Sequence, residues 1–197
     1  MAVALLKEPP LALPADLGPY RRRDYATLPD EPRCELIFGR FYLSPSPSAM
    51  HQVVVLLLSR LLDEIADASG GLALPAPLDV HLAEHSVVQP DVMYVSASRR
   101  EIVRERLEGA PDLVVEVLSP GTSRRDRGEK LRLYSQAGVR EYWVVDPAER
   151  QIEFLANREG DFVVVLPAGE TYRSPAVPEI RLSLAEFWQR VDAKLGR

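Results

Sequence analysis

Apolar and polar positions alternate with different periods along the chain, and each change of period marks an element. Cys34 to Ile37 and Arg40 to Leu43 read as two short strands joined at Phe38-Gly39, a hairpin around a glycine. The Ser-Pro-Ser-Pro-Ser stretch from Ser44 to Ser48 breaks the pattern. From Ala49 to Ala68 the period becomes helical. Val54, Leu57, Leu58, Leu61, Leu62 and Ile65 form one wide apolar face, which ends at Gly70-Gly71. Short strands follow at Leu72 to Leu74, Leu78 to Leu82, Val87-Val88 and Val92 to Val95, and residues 97 to 108 read as a charged loop or short helix. Leu113 to Leu118 is apolar throughout except for Glu116, the pattern of a central strand buried on both faces. After the turn Ser119 to Ser123, a helix is predicted from about Arg125 to Ala137, stopped by Gly138. Glu141 to Val145 is a strand. Gln151 to Leu155 and Phe162 to Leu166 pair around Asn157 to Gly160, and Ser183 caps a last helix over Leu184 to Leu195. This order predicts one α/β domain over residues 19–197, a mixed sheet with helices packed on it. Residues 1–18, with Pro9, Pro10 and Pro14, read as a proline-rich arm.

Composition narrows the function. The chain has 197 residues, 46% hydrophobic and 27% charged, the profile of a globular domain that folds without staples. Its one cysteine, Cys34, excludes an internal disulfide framework and a cysteine-rich zinc site. No apolar run is long enough for a membrane span and no signal peptide is evident, so a cytoplasmic location is expected. A net charge of −5 gives no whole-molecule attraction to nucleic acid. Arginines nevertheless cluster, at Arg21 to Arg23, Arg99-Arg100, and Arg124, Arg125 and Arg127. Each cluster reads either as a solvated face or as a local basic rim.

The candidate chemistry centres on Glu116. A carboxylate inside a buried strand needs either a basic partner or a cation. Asp91 opens another strand, and adjacent strands would bring both acids to one end of a sheet, although an acid after a proline is also a common turn residue. Two carboxylates with a backbone carbonyl and waters suit Mg²⁺, which assists phosphodiester hydrolysis. Asp126 and Lys130 share a helix face, either as a surface pair or with the lysine delivered to the two acids. Glu35 is a neighbour of such a site or a solvent-facing strand residue. His51 is a surface histidine or a group in reach of phosphate. His81 and His85 do not share a face in a strand-and-loop setting, which argues against zinc. Nucleotide-binding glycine loops and the Gly-x-Ser-x-Gly elbow are absent, so no nucleotide cofactor is expected.

Asp91 followed by Glu116-Val117-Leu118, in strands before a helix, resembles the active-site layout of the PD-(D/E)XK nuclease superfamily. More narrowly, the chain resembles the Uma-type family of putative restriction endonucleases. The likeness runs through Glu35 to Arg40, the serine-proline loop with His51, Pro90-Asp91-Val92, Pro111 to Pro120, Arg125 to Leu131, Tyr134, Gly138-Val139 and Glu141 to Pro147. It implies a restriction-endonuclease-like fold and a metal-dependent DNA endonuclease using Mg²⁺ or Mn²⁺. Asp91, Glu116 and the Val117 carbonyl would be metal ligands, and Glu35 an auxiliary acid. Arg124, Arg125, Arg127 and His51 are the candidate DNA contacts, with Arg99 and Arg100 on the same rim. A homodimer would suit a cutter of double strands. The family's lysine two residues after the acid is Leu118 here, so Lys130 takes its place from the helix or the site is inactive. The alternative is thus a catalytically inactive nuclease-fold protein that binds nucleic acid or protein, with Glu116 and Lys130 as a structural bridge. A two-acid glycosidase is a third class, poorly matched by a 7% aromatic content.

Overall fold

The computed structural model describes residues 14, 15, 17–29 and 31–197; most of the predicted arm lies outside them. A six-stranded mixed sheet forms the centre. Its strands are β3 (Leu72–Pro75), β6 (Val92–Val95), β8 (Leu113–Val117), β9 (Glu141–Asp146), β10 (Gln151–Arg158) and β11 (Asp161–Val164), in the order β11-β10-β9-β8-β6-β3. Only β8 and β9 run parallel, because a helical crossover joins them; the other neighbours are antiparallel.

Each face of this sheet is covered, which is why its strands carry so few polar residues. Alternate residues point to opposite faces. Val92, Tyr94, Leu113, Val115, Val117, Trp143 and Val145 face the long helix α2 (Ala49–Ser69) and the last helix α5 (Leu184–Leu195). Met93, Val95, Val114, Leu118, Tyr142 and Val144 face the other way. That side is closed by a second sheet, in the order β2-β1-β5-β4-β7. Its strands are β1 (Cys34–Ile37), β2 (Arg40–Leu43), β4 (Val80–Ala83), β5 (Ser86–Val88) and β7 (Leu107–Glu108). Burial of apolar area at roughly 25 cal/mol per Å² drives both interfaces.

Local signals hold as expected. Ser48 Oγ accepts the His51 N–H at 3.2 Å and caps α2. Ser183 caps α5 through the Glu186 N–H. Phe38 and Gly39 both have positive φ, +47° and +76°, so the β1–β2 hairpin turns through the mirror-image geometry that suits strand twist. A Cβ on Gly39 would stand 2.2 Å from the Gly18 carbonyl oxygen, so only glycine fits that approach. The short helix α1 (Arg22–Tyr25) and the hairpin of β12 (Thr171–Arg173) and β13 (Arg181–Ser183) have no clear sequence periodicity. All three are too short to show one.

The crossover helix departs from a plain α-helix. It starts as α3 (Ser123–Arg125), widens to a π turn over Asp126–Lys130, and continues as α4 (Leu131–Gln136). Such π turns recur at functional sites. The widened turn places both Asp126 and Lys130 on the buried side, where they are 1% and 4% exposed. No helix among the described residues is long and apolar enough to cross a membrane.

Candidate active site

The antiparallel register of β6 and β8 pairs Val92 with Val115. One step further, Asp91 stands opposite Glu116, where paired Cβ atoms lie about 4.5–5.5 Å apart. Both acids therefore meet at one end of the central sheet, on the face that carries the second sheet. β1 contributes Glu35 from that second sheet, only 2% exposed. The helix contributes Lys130, whose Nζ lies 2.8 Å from Glu116 Oε1 and 2.8 Å from Glu35 Oε1, with Asp126 Oδ1 at 3.7 Å. Leu118, at the place where the superfamily carries its lysine, shares the Glu116 face and packs into the apolar cluster behind it. The cation reaches the same carboxylate from the helix instead.

The two opposed carboxylates are each held by one oxygen. Glu116 Oε1 accepts from Lys130 Nζ and from the Tyr134 hydroxyl, the latter at 2.6 Å. No donor among the described residues engages its Oε2. Asp91 Oδ2 accepts the Val117 N–H at 2.7 Å and has His51 Nε2 at 3.2 Å, while Oδ1 has no donor among the described residues. Glu35 Oε1 also accepts the Gln89 N–H at 2.8 Å, and Arg125 stands 3.5 Å from Oε2. The fixed oxygens orient the acids; the open ones are left to a cleft of about 210 Å³ that Glu35, Asp91, Glu116, Val117 and Lys130 line.

Electrostatics follow from this crowding. Burial raises the Glu116 carboxyl well above the usual range; Lys130 pulls it down, but Asp126, Asp91 and Glu35 add to the rise. For Lys130, burial works against the charge, yet Glu116, Glu35 and Asp126 together outweigh it and raise its pKa. The lysine thus stays an ammonium. Burial also raises Asp126, against the pull of Lys130 and of a Thr122 hydrogen bond. Burial opposes protonation of His51, but Asp91 and the Val117 backbone beside it more than compensate, so its pKa rises.

The donor set fits a hard divalent cation: two open carboxylate oxygens, a backbone carbonyl and room for water. Among the described residues, no group of three His, Cys, Asp or Glu side chains is arranged to hold a metal by itself. An ion here would therefore keep several waters, as Mg²⁺ does.

The arginines go elsewhere. Arg125 turns inward to Glu35 and lies over the Tyr42 ring at 4.7 Å. Arg127 pairs with Glu153 and lies 3.8 Å from Asp146. Arg99 stands beside the buried Asp112, and Arg100 donates to the Gly71 carbonyl. Arg124 alone of this set is exposed with no hydrogen-bond or ion-pair partner for its side chain among the described residues. His51 is directed at Asp91. Tyr134 escapes a reading based on acids and bases alone. Its signal is the i,i+4 spacing of Lys130 and Tyr134, whose ammonium and hydroxyl both reach Glu116 Oε1.

Residues 22–185 match the Uma2 family, described as putative restriction endonuclease. The chain belongs to this family. An uncharacterized protein, slr1290, of Synechocystis sp. (strain ATCC 27184 / PCC 6803 / Kazusa) is 29% identical over 134 residues, which cover 66% of this chain and 70% of that one. The crystal structure of a putative nuclease belonging to DUF820 from Anabaena variabilis ATCC 29413 superposes with a TM-score of 0.74 at 19% identity. The match covers 88% of this chain and 99% of that one. The fold of this Uma2 member is therefore that of this solved structure, while its chemistry has to be argued from its own residues.

Proposed function

We propose that this Uma2 protein is a metal-dependent DNA endonuclease that hydrolyses phosphodiester bonds at the Asp91–Glu116 cleft. The observation that carries the reading is the half-occupied state of the two opposed carboxylates. Protein donors hold Glu116 Oε1 and Asp91 Oδ2, and the other oxygen of each is left to the cleft beside the Val117 carbonyl. Glu141, buried on the other face of the sheet, has donors on both oxygens.

Asp91, Glu116 and the Val117 carbonyl would hold Mg²⁺ or Mn²⁺. Bound there, such an ion neutralises charge on phosphate and lowers the pKa of a coordinated water. Lys130 is too strongly held as an ammonium to remove a proton from water. Its role is to fix Glu116 and Glu35 and to place positive charge beside the phosphoryl oxygens as they gain charge. Tyr134 keeps Glu116 turned so that Oε2 stays open, and His51 does the same for Asp91. Glu35 acts through Lys130 as a positioning acid. Arg124 is the exposed candidate for phosphate contact. The reading places the protein in the cytoplasm as a homodimer, whose check is its mass in solution.

The direct Lys130–Glu116 contact also suits the second reading, an inactive nuclease fold that binds nucleic acid or protein. Calorimetric titration with Mn²⁺ and Mg²⁺ separates the two. Wild type is expected to bind and Glu116→Gln to lose binding, with cleavage of DNA falling roughly 100-fold or more in the variant. Equal binding by both proteins, or DNA cutting unaffected by Glu116→Gln, would refute the proposed site.

A further inference from the structure

The ladder between β1 and β2 runs one residue beyond the two strands. Cys34 pairs with Leu43, and before it the Arg33 carbonyl accepts the Ser44 N–H at 2.9 Å. Arg33 is thus in strand register two residues before Glu35, and side chains two apart in a strand share a face. On that face Glu35 reaches Lys130, and Ile37 packs into the apolar cluster under the central sheet. Arg33 therefore stands on the cleft side, about 6.5 Å farther along the strand than Glu35. It lines the cleft together with Ser44.

The other cations beside the acids are committed. Lys130 Nζ lies 2.8 Å from both Glu116 and Glu35, with Asp126 at 3.7 Å. Arg125 stands against Glu35, and His51 against Asp91. Arg33 differs from all of these. It is half-buried, and no hydrogen bond, ion pair or ring contact engages its side chain among the described residues. A second hollow, of about 430 Å³, meets the cleft at Arg33, Pro77 and Gln89. It carries Glu31, Asp79 and Glu105, yet none of them is paired with Arg33. Asp79 is taken by the Tyr25 hydroxyl at 2.8 Å and the Gln89 amide at 2.9 Å. A guanidinium drawn partly out of water with no partner is costly, unless a ligand brings the anion.

Charge says which ligand. Glu35, Asp91, Glu116 and Asp126 all line the cleft, and Lys130 offsets only part of their negative charge. Such a cleft repels a phosphate unless more positive charge meets it. Lys130 is set too deep to make the contact. Its side chain is 5% exposed, and two of its three N–H groups go to carboxylates. Arg33 has its whole fork of donors uncommitted, and that planar fork matches two oxygens of one phosphate.

Resting on the nuclease reading above, we propose that Arg33 binds the scissile phosphate, its guanidinium donating to the non-bridging oxygens of the group that enters the cleft. Lys130 fixes the acids, and Arg33 holds the substrate. Arg124, which does not line the cleft, serves phosphates farther along the strand.

Inorganic phosphate is the probe, since it carries the recognised group and nothing else. It is titrated calorimetrically into wild type, Arg33→Ala, Arg33→Lys and Arg124→Ala, with and without saturating Mg²⁺, whose own binding is measured first. Wild type is expected to bind phosphate. Arg33→Ala should bind it at least about tenfold more weakly, the loss of one charge-assisted contact, with Mg²⁺ affinity unchanged. Arg33→Lys keeps the charge without the fork and should fall between the two. Arg124→Ala should match wild type. Phosphate bound equally by wild type and Arg33→Ala overturns the inference. So does a wild type that holds Mg²⁺ and binds no phosphate; Mg²⁺ binding in either case leaves the nuclease reading standing. Absence of Mg²⁺ binding counts against the nuclease reading instead, and phosphate binding that still depends on Arg33 keeps the anion site. Should Arg33→Ala fail to fold, Arg33→Lys decides: a weaker affinity for phosphate supports the inference, and an unchanged one overturns it.

Discussion

Two buried glutamates lie on neighbouring strands of the central sheet and have opposite fates. Glu141 opens β9 on the α2 and α5 face, fully buried. Both of its oxygens are saturated by neutral donors. Oε1 takes the Tyr172 hydroxyl at 2.6 Å and the Trp143 indole N–H. Oε2 takes the Ser174 hydroxyl and the Ala176 N–H. Glu116, on the opposite face and towards the other end of the parallel β8–β9 pair, has both its donors on one oxygen, and one of them is an ammonium. Burial is thus equal in degree but different in kind. Glu141 ties the segment around Tyr172 and Ser174 to the sheet. Glu116 is oriented and left with a valence to spare. A buried acid marks a functional site when its neighbours leave its hydrogen bonding incomplete, and a structural one when its hydrogen bonding is closed.

Exchanging each acid for its amide is the sharpest way to break this comparison. Glu116→Gln should remove metal binding and nearly all cleavage while the fold persists, since a glutamine carbonyl still accepts from Tyr134 and Lys130 keeps Glu35. Glu141→Gln should do the reverse. It sets an amide N–H₂ against donors and should cost about 2–3 kcal/mol of stability, seen as a Tm drop of about 4–12 °C in a chain of this size. Metal affinity should stay as it was. If Glu141→Gln instead impaired metal binding in protein that is still folded, the division between the two acids would fail.

Tyr134→Phe sharpens the same contrast with a smaller effect. It removes one donor from Glu116 and is expected to lower cleavage or metal affinity by about 10–100-fold, the range for a group that orients a metal ligand. A loss of stability with no change in either would make Tyr134 a packing residue.

A third acid, Asp112, tests the structural class by pH. It precedes β8 and is fully buried. Burial by itself would raise its pKa, but the Ser96 N–H at 2.8 Å and Arg140 at 3.0 Å outweigh that and hold the carboxyl below its usual range. An acid depressed in the folded state stabilises above its unfolded pKa of about 3.9 and loses that contribution as pH falls through the folded value. The stability gap between wild type and Asp112→Asn should therefore hold constant above about pH 4 and close as pH falls below it through the folded value. A gap that stayed constant on into the acid range would show that Asp112 is not the group responsible.

The smallest effects concern the arginines. Arg124→Ala should weaken DNA binding and reduce its salt slope by about one. Arg127→Ala breaks an exposed pair with Glu153 and should change stability by less than about 1 kcal/mol, with the salt slope unaltered.

Much of this molecule is legible in its sequence. The hairpin at Phe38-Gly39, the long helix after Ser48, the strand around Glu116 and the capped last helix all follow from short-range rules of period, turn and cap. The Asp91 and Glu116 pair is legible too, because two acids at the ends of apolar strands stand out against their neighbours. Less is legible for Lys130 and Asp126, whose spacing reads equally well as a solvent-exposed pair, and for Glu35, whose alternating strand suits either face. The inward turn of Arg125 and the surface pairing of Arg127 with Glu153 leave no mark on the local sequence.

By itself the sequence determined the main strands and helices, and which carboxylates would be costly to bury. Those properties depend on contacts a few residues apart. Only the tertiary structure decided that a π turn carries Lys130 and Asp126 inside, and that a strand from a second sheet brings Glu35 to the same ammonium. It alone decided that Glu116 keeps one open oxygen while Glu141 keeps none. Such outcomes depend on which groups meet across long sequence separations, and a buried charge takes its chemistry from those groups and not from its neighbours in the chain.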